Sequence, residues 1–333
     1  MDFTLTTYRR LLENLKEQGY MFQRFDECLQ KPVEKVIILR HDVDRLPENS
    51  LVTAQIENEM GISGTYYFRA GKEGFDGEAI RQIAGMGHEI GYHYEDFVLA
   101  RQKIKVTRQK SKKKDHSDLQ DCKTARLQDC KTARLQDCKT ARLQDYEKQL
   151  AEAAIVSFES NLNKLRQLSP VRTICMHGSP LSKWDSRLLW KYYDYRDYGI
   201  TGESYFDVDF GEVLYLTDTG RRWDGDSVNI RDKAEKRRGE GEKRRAGEVI
   251  TPSPVPPLSL SSSIRLRSTS DIINAARENK LPVKIMLTVH PQRWTDKPVP
   301  WVWELVWQNV KNLGKYLLIR RRKSEDRRRK KER

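Results

Sequence analysis

At 333 residues, with 37% hydrophobic and 33% charged side chains, the chain can bury the core of one large or two modest domains, and it is polar for a globular enzyme. No run approaches the ~20 consecutive apolar residues of a membrane span. The start Met1-Asp2-Phe3-Thr4-Leu5 lacks the basic and apolar regions of a signal peptide, so a cytoplasmic location with no membrane partner is expected. The net charge of +14 is concentrated in three segments. Residues 103–145 hold 13 Lys/Arg against 6 Asp/Glu, residues 231–268 hold 10 against 5, and residues 320–333 hold 10 against 3. The rest of the chain is therefore acidic. These segments have almost no aromatics to stack on bases, so they read as solvated charge runs, and nucleic acid is not an expected partner.

In chain order, Leu5, Tyr8, Leu11, Leu12 and Leu15 recur at helical spacing and Gly19 closes that helix. Val36-Ile37-Ile38-Leu39 predicts a short buried strand, followed at once by Arg40-His41-Asp42-Val43-Asp44. Residues 48–60 and 77–86 predict helices, and Gly64–Arg69 and His88–His93 predict strands. This alternation points to a parallel sheet or barrel. It stops over 103–145, where Leu-Gln-Asp-Cys-Lys-Thr-Ala-Arg recurs unchanged at 119–126, 127–134 and 135–142. Eight residues rotate successive cysteines by ~80° around a helix, so Cys122, Cys130 and Cys138 match neither a metal-ligand spacing nor a disulfide framework.

The alternation resumes with a helix over 146–168, a strand at Val171–Met176 ending in His177, an aromatic-rich helix over 184–193, and short strands near 199–206 and 212–217. Residues 231–268 are charged, then Pro/Ser-rich, and predict disorder. Ser270 opens a further helix, Lys284–Val289 is a strand ending at His290, and Trp301–Lys315 is a final helix whose Trp301, Trp303 and Trp307 are expected to pack. Without the two insertions and the tail the chain has the size of one barrel-like α/β domain. Residues 1–102, 146–230 and 269–319 are thus expected to build a single domain, with insertions at 103–145 and 231–268 and a basic tail at 320–333.

His41, His93, His177 and His290 each fall at or just after a predicted strand end. In a parallel sheet those ends converge on one rim, where ligands gather. If the strand continues, Asp42 and Asp44 share a side, and two like charges there call for a cation between them. The competing expectation is a solvated loop in which Asp44 caps the helix near Pro47. Imidazoles with a carboxylate suit a divalent metal, zinc foremost, with an open coordination position. His88, at the far end of its strand from His93, is expected to be structural, and Cys175 a buried small residue.

Gly87-His88-Glu89-Ile90-Gly91-Tyr92-His93 resembles the Gly-His-Glu-Ile-x-x-His stretch of polysaccharide deacetylases, the NodB-homology or carbohydrate esterase family 4 enzymes. Leu287-Thr288-Val289-His290 is similar to that family's late Leu-x-x-His motif, and His41-Asp42-Val43-Asp44 lies where the family has adjacent aspartates. The resemblance covers about residues 33–100 and 146–295. It implies a distorted (β/α)7-type barrel and a metal-dependent hydrolase that removes acetyl groups from a sugar or polysaccharide precursor. It further implies Asp42 as general base, Asp44 and His93 as metal ligands, and His290 as general acid.

The chain departs from the pattern at three places. Val43 separates the aspartates, so an assignment with Asp42 on the metal and Asp44 peripheral stays open. Phe97 stands at the family's second metal histidine, and His177 is the candidate replacement, with Asp96 or Glu95 as substitutes. Cys175-Met176-His177-Gly178-Ser179-Pro180 replaces an Arg-Pro-Pro-Tyr-like motif. Asp218, Arg222 and Trp223, with Arg293 and Trp294, form the residue set expected around a saccharide or small-molecule substrate. Two further readings are hydrolysis of a non-peptide, non-sugar C–N bond on the same fold, and a non-catalytic relative that binds saccharide.

Overall fold

The computed structural model describes residues 1–71, 73–104, 133–178, 185–223, 266–312 and 314, without the side chains of 133–142. Its first half runs α1 (Leu5–Glu17), β1 (Met21–Gln23), α2 (Phe25–Gln30), β2 (Val36–Val43), α3 (Pro47–Glu59), β3 (Thr65–Phe68), α4 (Gly77–Gly85), β4 (Glu89–Tyr94) and α5 (96–104). The second half runs α6 (Ala133–Arg166), β5 (Val171–Met176), β6 (Gly202–Glu203), β7 (Leu214–Thr217), α7 (Thr269–Arg277), β8 (Lys284–Val289) and α8 (298–312).

All strand pairs are parallel, in the order β6-β5-β4-β3-β2-β8-β7. One edge of β2 is shared, with β1 beside Val36–Ile38 and β3 beside Arg40–Val43, while β8 runs along its other edge from Val36 to His41. Every residue of β2 is buried, which a parallel strand covered on both faces requires.

The sheet is curled into a half-barrel. Val36 and Ile38 of β2, Tyr67 of β3, Cys175 of β5 and Met286 of β8 belong to one buried cluster. In a flat sheet with strands ~4.8 Å apart, β5 and β8 would lie too far apart for that. The Tyr67 hydroxyl reaches Thr173 across the intervening β4 at 3.0 Å. That bridge passes over Gly91, where a Cβ would overlap the Tyr67 ring. Outside the curl, α4 and α6 pack on β3–β5, and α1 and α7 pack on β2, β7 and β8.

The expected α/β alternation is present, but the helix expected over 184–193 is a 3-10 turn at Ser186–Lys191, the strand expected near 199–206 is only Gly202–Glu203, and other elements differ as well. The strand predicted to end at Leu39 continues to Val43, so Arg40, His41 and Asp42 lie inside the sheet. β1 and α2, of three and six residues, are too short to leave a periodic signal. Asp44 does not cap α3, whose N-cap residue is Leu46 at φ 52° with no side-chain cap. Ser268, not Ser270, caps α7, in a reciprocal capping box with Asp271. Residues 105–132, 224–265 and 315–333, which hold most of the two expected insertions and the whole tail, lie outside the described residues. α6 begins at Ala133, in the second copy of the repeat, and runs through the third.

β2 sorts its polar residues by parity. Arg40 and Asp42 share the inner face with Val36 and Ile38, and His41 turns outward with Ile37 and Leu39. There the His41 ring stacks on Tyr66 at 3.9 Å, and its Nε2 lies 2.9 Å from Glu57 Oε1. The Tyr8 and Tyr66 hydroxyls both donate to that oxygen, at 2.5 and 2.9 Å. His88 accepts from the Gly64 amide and donates to the Ala54 carbonyl, so it is structural as expected. Burial pushes the His88 pKa down, in keeping with a neutral ring.

Burial also opposes ionisation of Glu57, but His41 and the hydrogen bond from Tyr8 outweigh it and hold the carboxyl below its usual range. Glu57→Ala would leave the His41 imidazole and two phenols without their shared acceptor, at a cost of about 3 kcal/mol. Urea denaturation at pH 7 reads that loss. The contribution of Glu57 is present above its unfolded pKa near 4.5 and is lost as pH falls through its lower folded value. The difference between the wild type and the variant therefore shrinks in acid.

Candidate metal centre

Four strand ends meet at the C-terminal rim of the half-barrel. β2 delivers Asp42 and, one residue past its end, Asp44; β4 delivers His93, β5 His177 and β8 His290. His93 turns its Nδ1 to the Cys175 carbonyl at 3.0 Å, which leaves Nε2 facing the rim. That atom lies 3.1 Å from His177 Nδ1 and 3.5 Å from Asp44 Oδ1, and His177 Nδ1 lies 3.0 Å from the same carboxylate oxygen. Donors ~2.0–2.1 Å from one tetrahedral ion are about 3.3 Å apart, so these three atoms match one face of such a polyhedron and leave its fourth corner open. Asp44 Oδ1 is inaccessible to solvent and faces the His93 and His177 nitrogens without a well-aligned hydrogen bond from either, an arrangement that fits a cation shared by the three. Burial disfavours the Asp44 anion, but His177, His93 and His290 hold its pKa well below the usual carboxylate range.

Asp42 is held differently. Arg40 clamps both of its oxygens, Nε to Oδ1 at 2.8 Å and Nη2 to Oδ2 at 2.7 Å, with Arg40 only 1% exposed. Burial is again the largest influence and raises the Asp42 pKa. Arg40 and His93 overcome it, and the net value falls to about 2. Asp42 lies 3.9 Å from His93 Nε2, farther than Asp44. A second possible donor set, Asp42, His93 and Cys175, is fully buried, but Arg40 already occupies that carboxylate. Cys175 is a buried core residue whose thiol pKa burial pushes up. Asp44 is thus the better placed donor.

His290 stands across Asp44, with Nε2 4.0 Å from Asp44 Oδ2. Its other nitrogen, Nδ1, lies 2.5 Å from Asp218 Oδ1. Asp218 also accepts from the His290 amide, Arg293 Nη1 and Trp294 Nε1 at 2.7–2.9 Å, and it is fully buried. Burial opposes its charge, while His290 and Arg293 keep its pKa below the ordinary range. The result is a carboxylate that fixes one imidazole in a single orientation.

No family model, curated protein or solved structure matches the chain.

The centre therefore stands on its own geometry, which relocates several sequence expectations. Asp218, expected at the substrate, sits behind His290 with its acceptor sites filled. Arg293, also expected there, is buried against Asp218. Trp223 and Trp294 are 2% and 1% exposed and pack with Phe3 in the core, so neither has a face to offer a sugar. Arg222 is half-buried between Arg221 and Trp223. His41, one of the four strand-end histidines, belongs to the Glu57 cluster. Of the substitute ligands, Glu95 is paired with Arg69 at 2.9 Å, and Asp96 accepts from Tyr92, Ser157 and Asn161. Phe97 is core.

Sequence reasoning missed two neighbours. Arg40 was identifiable by parity, two residues before Asp42 on an inward face. Gln292, which donates to Asp44 Oδ2 at 3.3 Å, carried no such signal.

Elemental analysis of the purified protein is expected to give about one divalent ion per chain. Asp44→Ala, His93→Ala and His177→Ala are each expected to lose it, and Asp42→Asn to keep it. Retention in His177→Ala would remove that residue from the donor set.

Proposed function

We propose that this centre belongs to a metal-dependent hydrolase built on a distorted (β/α)7-type barrel, which removes acetyl groups from a sugar or polysaccharide precursor. The observation that carries the reading is the pairing of a three-donor face (Asp44, His93, His177) with two separately tuned flanking groups, Asp42 and His290. A metal at that face would polarise an acyl carbonyl and lower the pKa of water beside it. The residues supply the rest. Asp42, kept ionised by Arg40, is the proton acceptor for the attacking water. Asp218 fixes the His290 ring with Nε2 toward the reacting centre, where it delivers a proton to the departing amine or alkoxide. Water adds to the carbonyl carbon, the C–N or C–O bond breaks, and acetate and the protonated leaving group depart.

One observation favours a second substrate class. The indoles expected to stack on a sugar, Trp223 and Trp294, are core residues, so a non-sugar C–N bond is the competing target of the same machinery.

Acetate release from N-acetylated sugar oligomers tests the first reading. Asp42→Asn and His290→Ala should lower kcat by about 10²–10⁴-fold at unchanged metal content. Asp218→Asn should lower it by a comparable factor and alter the pH profile, since it acts through the imidazole. Cleavage of simple amides without acetate release from sugars would select the second class. Full metal content with no hydrolysis of either substrate would leave a saccharide-binding relative.

A further inference from the structure

The last helix is amphipathic in the inverse sense. Toward the body α8 turns Glu304 and Gln308, each 6% exposed, whereas Val299, Val302, Trp303, Val306, Trp307 and Val310 are 44–78% exposed. The inward face is held by polar contacts: Arg45 Nη2 donates to Glu304 Oε2 at 2.8 Å, Gln308 to Glu304 Oε1 at 2.7 Å, Trp301 Nε1 to the Asp2 carbonyl at 2.8 Å, and Asn312 to the Gly220 carbonyl at 3.3 Å. At 100° per residue the six apolar side chains fall within an arc of about 140°, centred opposite Glu304 and Gln308. Isolated exposed valines are ordinary. A contiguous stripe with two indoles, on a helix whose polar side is turned inward, marks a contact surface.

Charge selects what covers it. Beyond the helix, residues 320–333 carry 10 Lys/Arg against 3 Asp/Glu, on a chain of net charge +14. A second copy would bring an equal positive charge to the same place, and the arc is wider than the narrow a/d seam of a paired coiled coil. A nucleic acid would satisfy the charge, but four of the six side chains are valines with no π-face on which bases could stack. An anionic bilayer meets both demands. Its interface takes Val and Trp side chains to a shallow depth, and its headgroups attract the adjacent basic run, the two-signal combination that peripheral attachment needs. We propose that α8 is a membrane-surface helix for anionic lipid. The sequence expectation of no membrane partner rests on the length of apolar runs. No described helix is long and apolar enough to cross a membrane, and that measures spanning alone.

The test is sedimentation of the full chain with vesicles of phosphatidylcholine, with and without phosphatidylserine. Binding is expected only with phosphatidylserine, and is expected to weaken at least about tenfold when salt is raised from ~0.1 to ~0.5 M. Trp303→Glu/Trp307→Glu should weaken it at least about tenfold and Trp303→Ala/Trp307→Ala by less, with metal content and thermal unfolding unchanged in both. The proposal is overturned by no binding to the anionic vesicles, or by equal binding of wild type and both variants. It is equally overturned by a lipid-free dimer that the glutamate variant dissolves, or by indole-dependent binding of a single-stranded oligonucleotide in place of vesicles. None of these outcomes alters the metal content on which the hydrolase reading depends.

Discussion

Three ionisable residues in succession, Arg40, His41 and Asp42, are buried in the strand from which the sheet extends on both sides. A buried charge is tolerated only with a partner, and the two-residue period of a strand decides where each partner must stand. The inward pair, Arg40 and Asp42, neutralise one another along the same strand. The outward His41 finds its carboxylate, Glu57, on α3. One segment thereby fixes the floor of the rim on one side and the seat of the first helices on the other, because Tyr8 of α1, Tyr66 of β3 and His88 beside β4 converge on that glutamate.

The rim reuses the same device with different outcomes. Asp42, Asp44 and Asp218 are all carboxylates whose burial opposes ionisation, and all are held ionised, each by a different partner: a guanidinium, a set of imidazoles, and an imidazole–guanidinium pair. Their availability differs accordingly. Asp218 has its acceptor sites filled and can act only by holding His290. Asp42 is clamped from below. Asp44 keeps one oxygen that meets only imidazole nitrogens, and that difference separates a candidate metal donor from its neighbours more clearly than sequence position does.

The sheet was largely legible in the sequence because apolar runs at strand ends carry a strong signal: Val171–Met176 and Lys284–Val289 lie where they were read. The convergence of His93, His177 and His290 followed from parallel topology alone. The end of β2 was misread because Arg40-His41-Asp42 looks like a loop, and only their three-dimensional partners make them compatible with a buried strand: Tyr205, whose hydroxyl accepts from Arg40 Nη2 at 3.3 Å, Glu57 at His41, and His93 near Asp42. The aromatic substrate wall failed for a related reason. A Trp beside a polar cluster reads the same whether its indole faces a cleft or donates into a buried carboxylate, as Trp294 does to Asp218. Burial of that kind is decided by residues such as Phe3 and Tyr8, far away in the chain.

The β2–α3 connection joins the rim to the outer surface. Asp44 leaves the strand as a candidate donor, and Arg45, the next residue, reaches Glu304 of α8 at 2.8 Å. Lys311, farther along that helix, is partly desolvated with its pKa pushed down by burial, and it lies within the electrostatic influence of Arg45, Glu304, Arg293 and Asp44. The helix is therefore seated largely by polar contacts, one of them to the turn that carries Asp44, with Trp301 and Leu305 the half-buried apolar residues among those described. The Arg45–Glu304 pair turns the polar face of the helix toward that turn. The turn that presents Asp44 to the imidazoles and the helix that presents Trp303 and Trp307 to solvent are consequently anchored to one another through two adjacent residues.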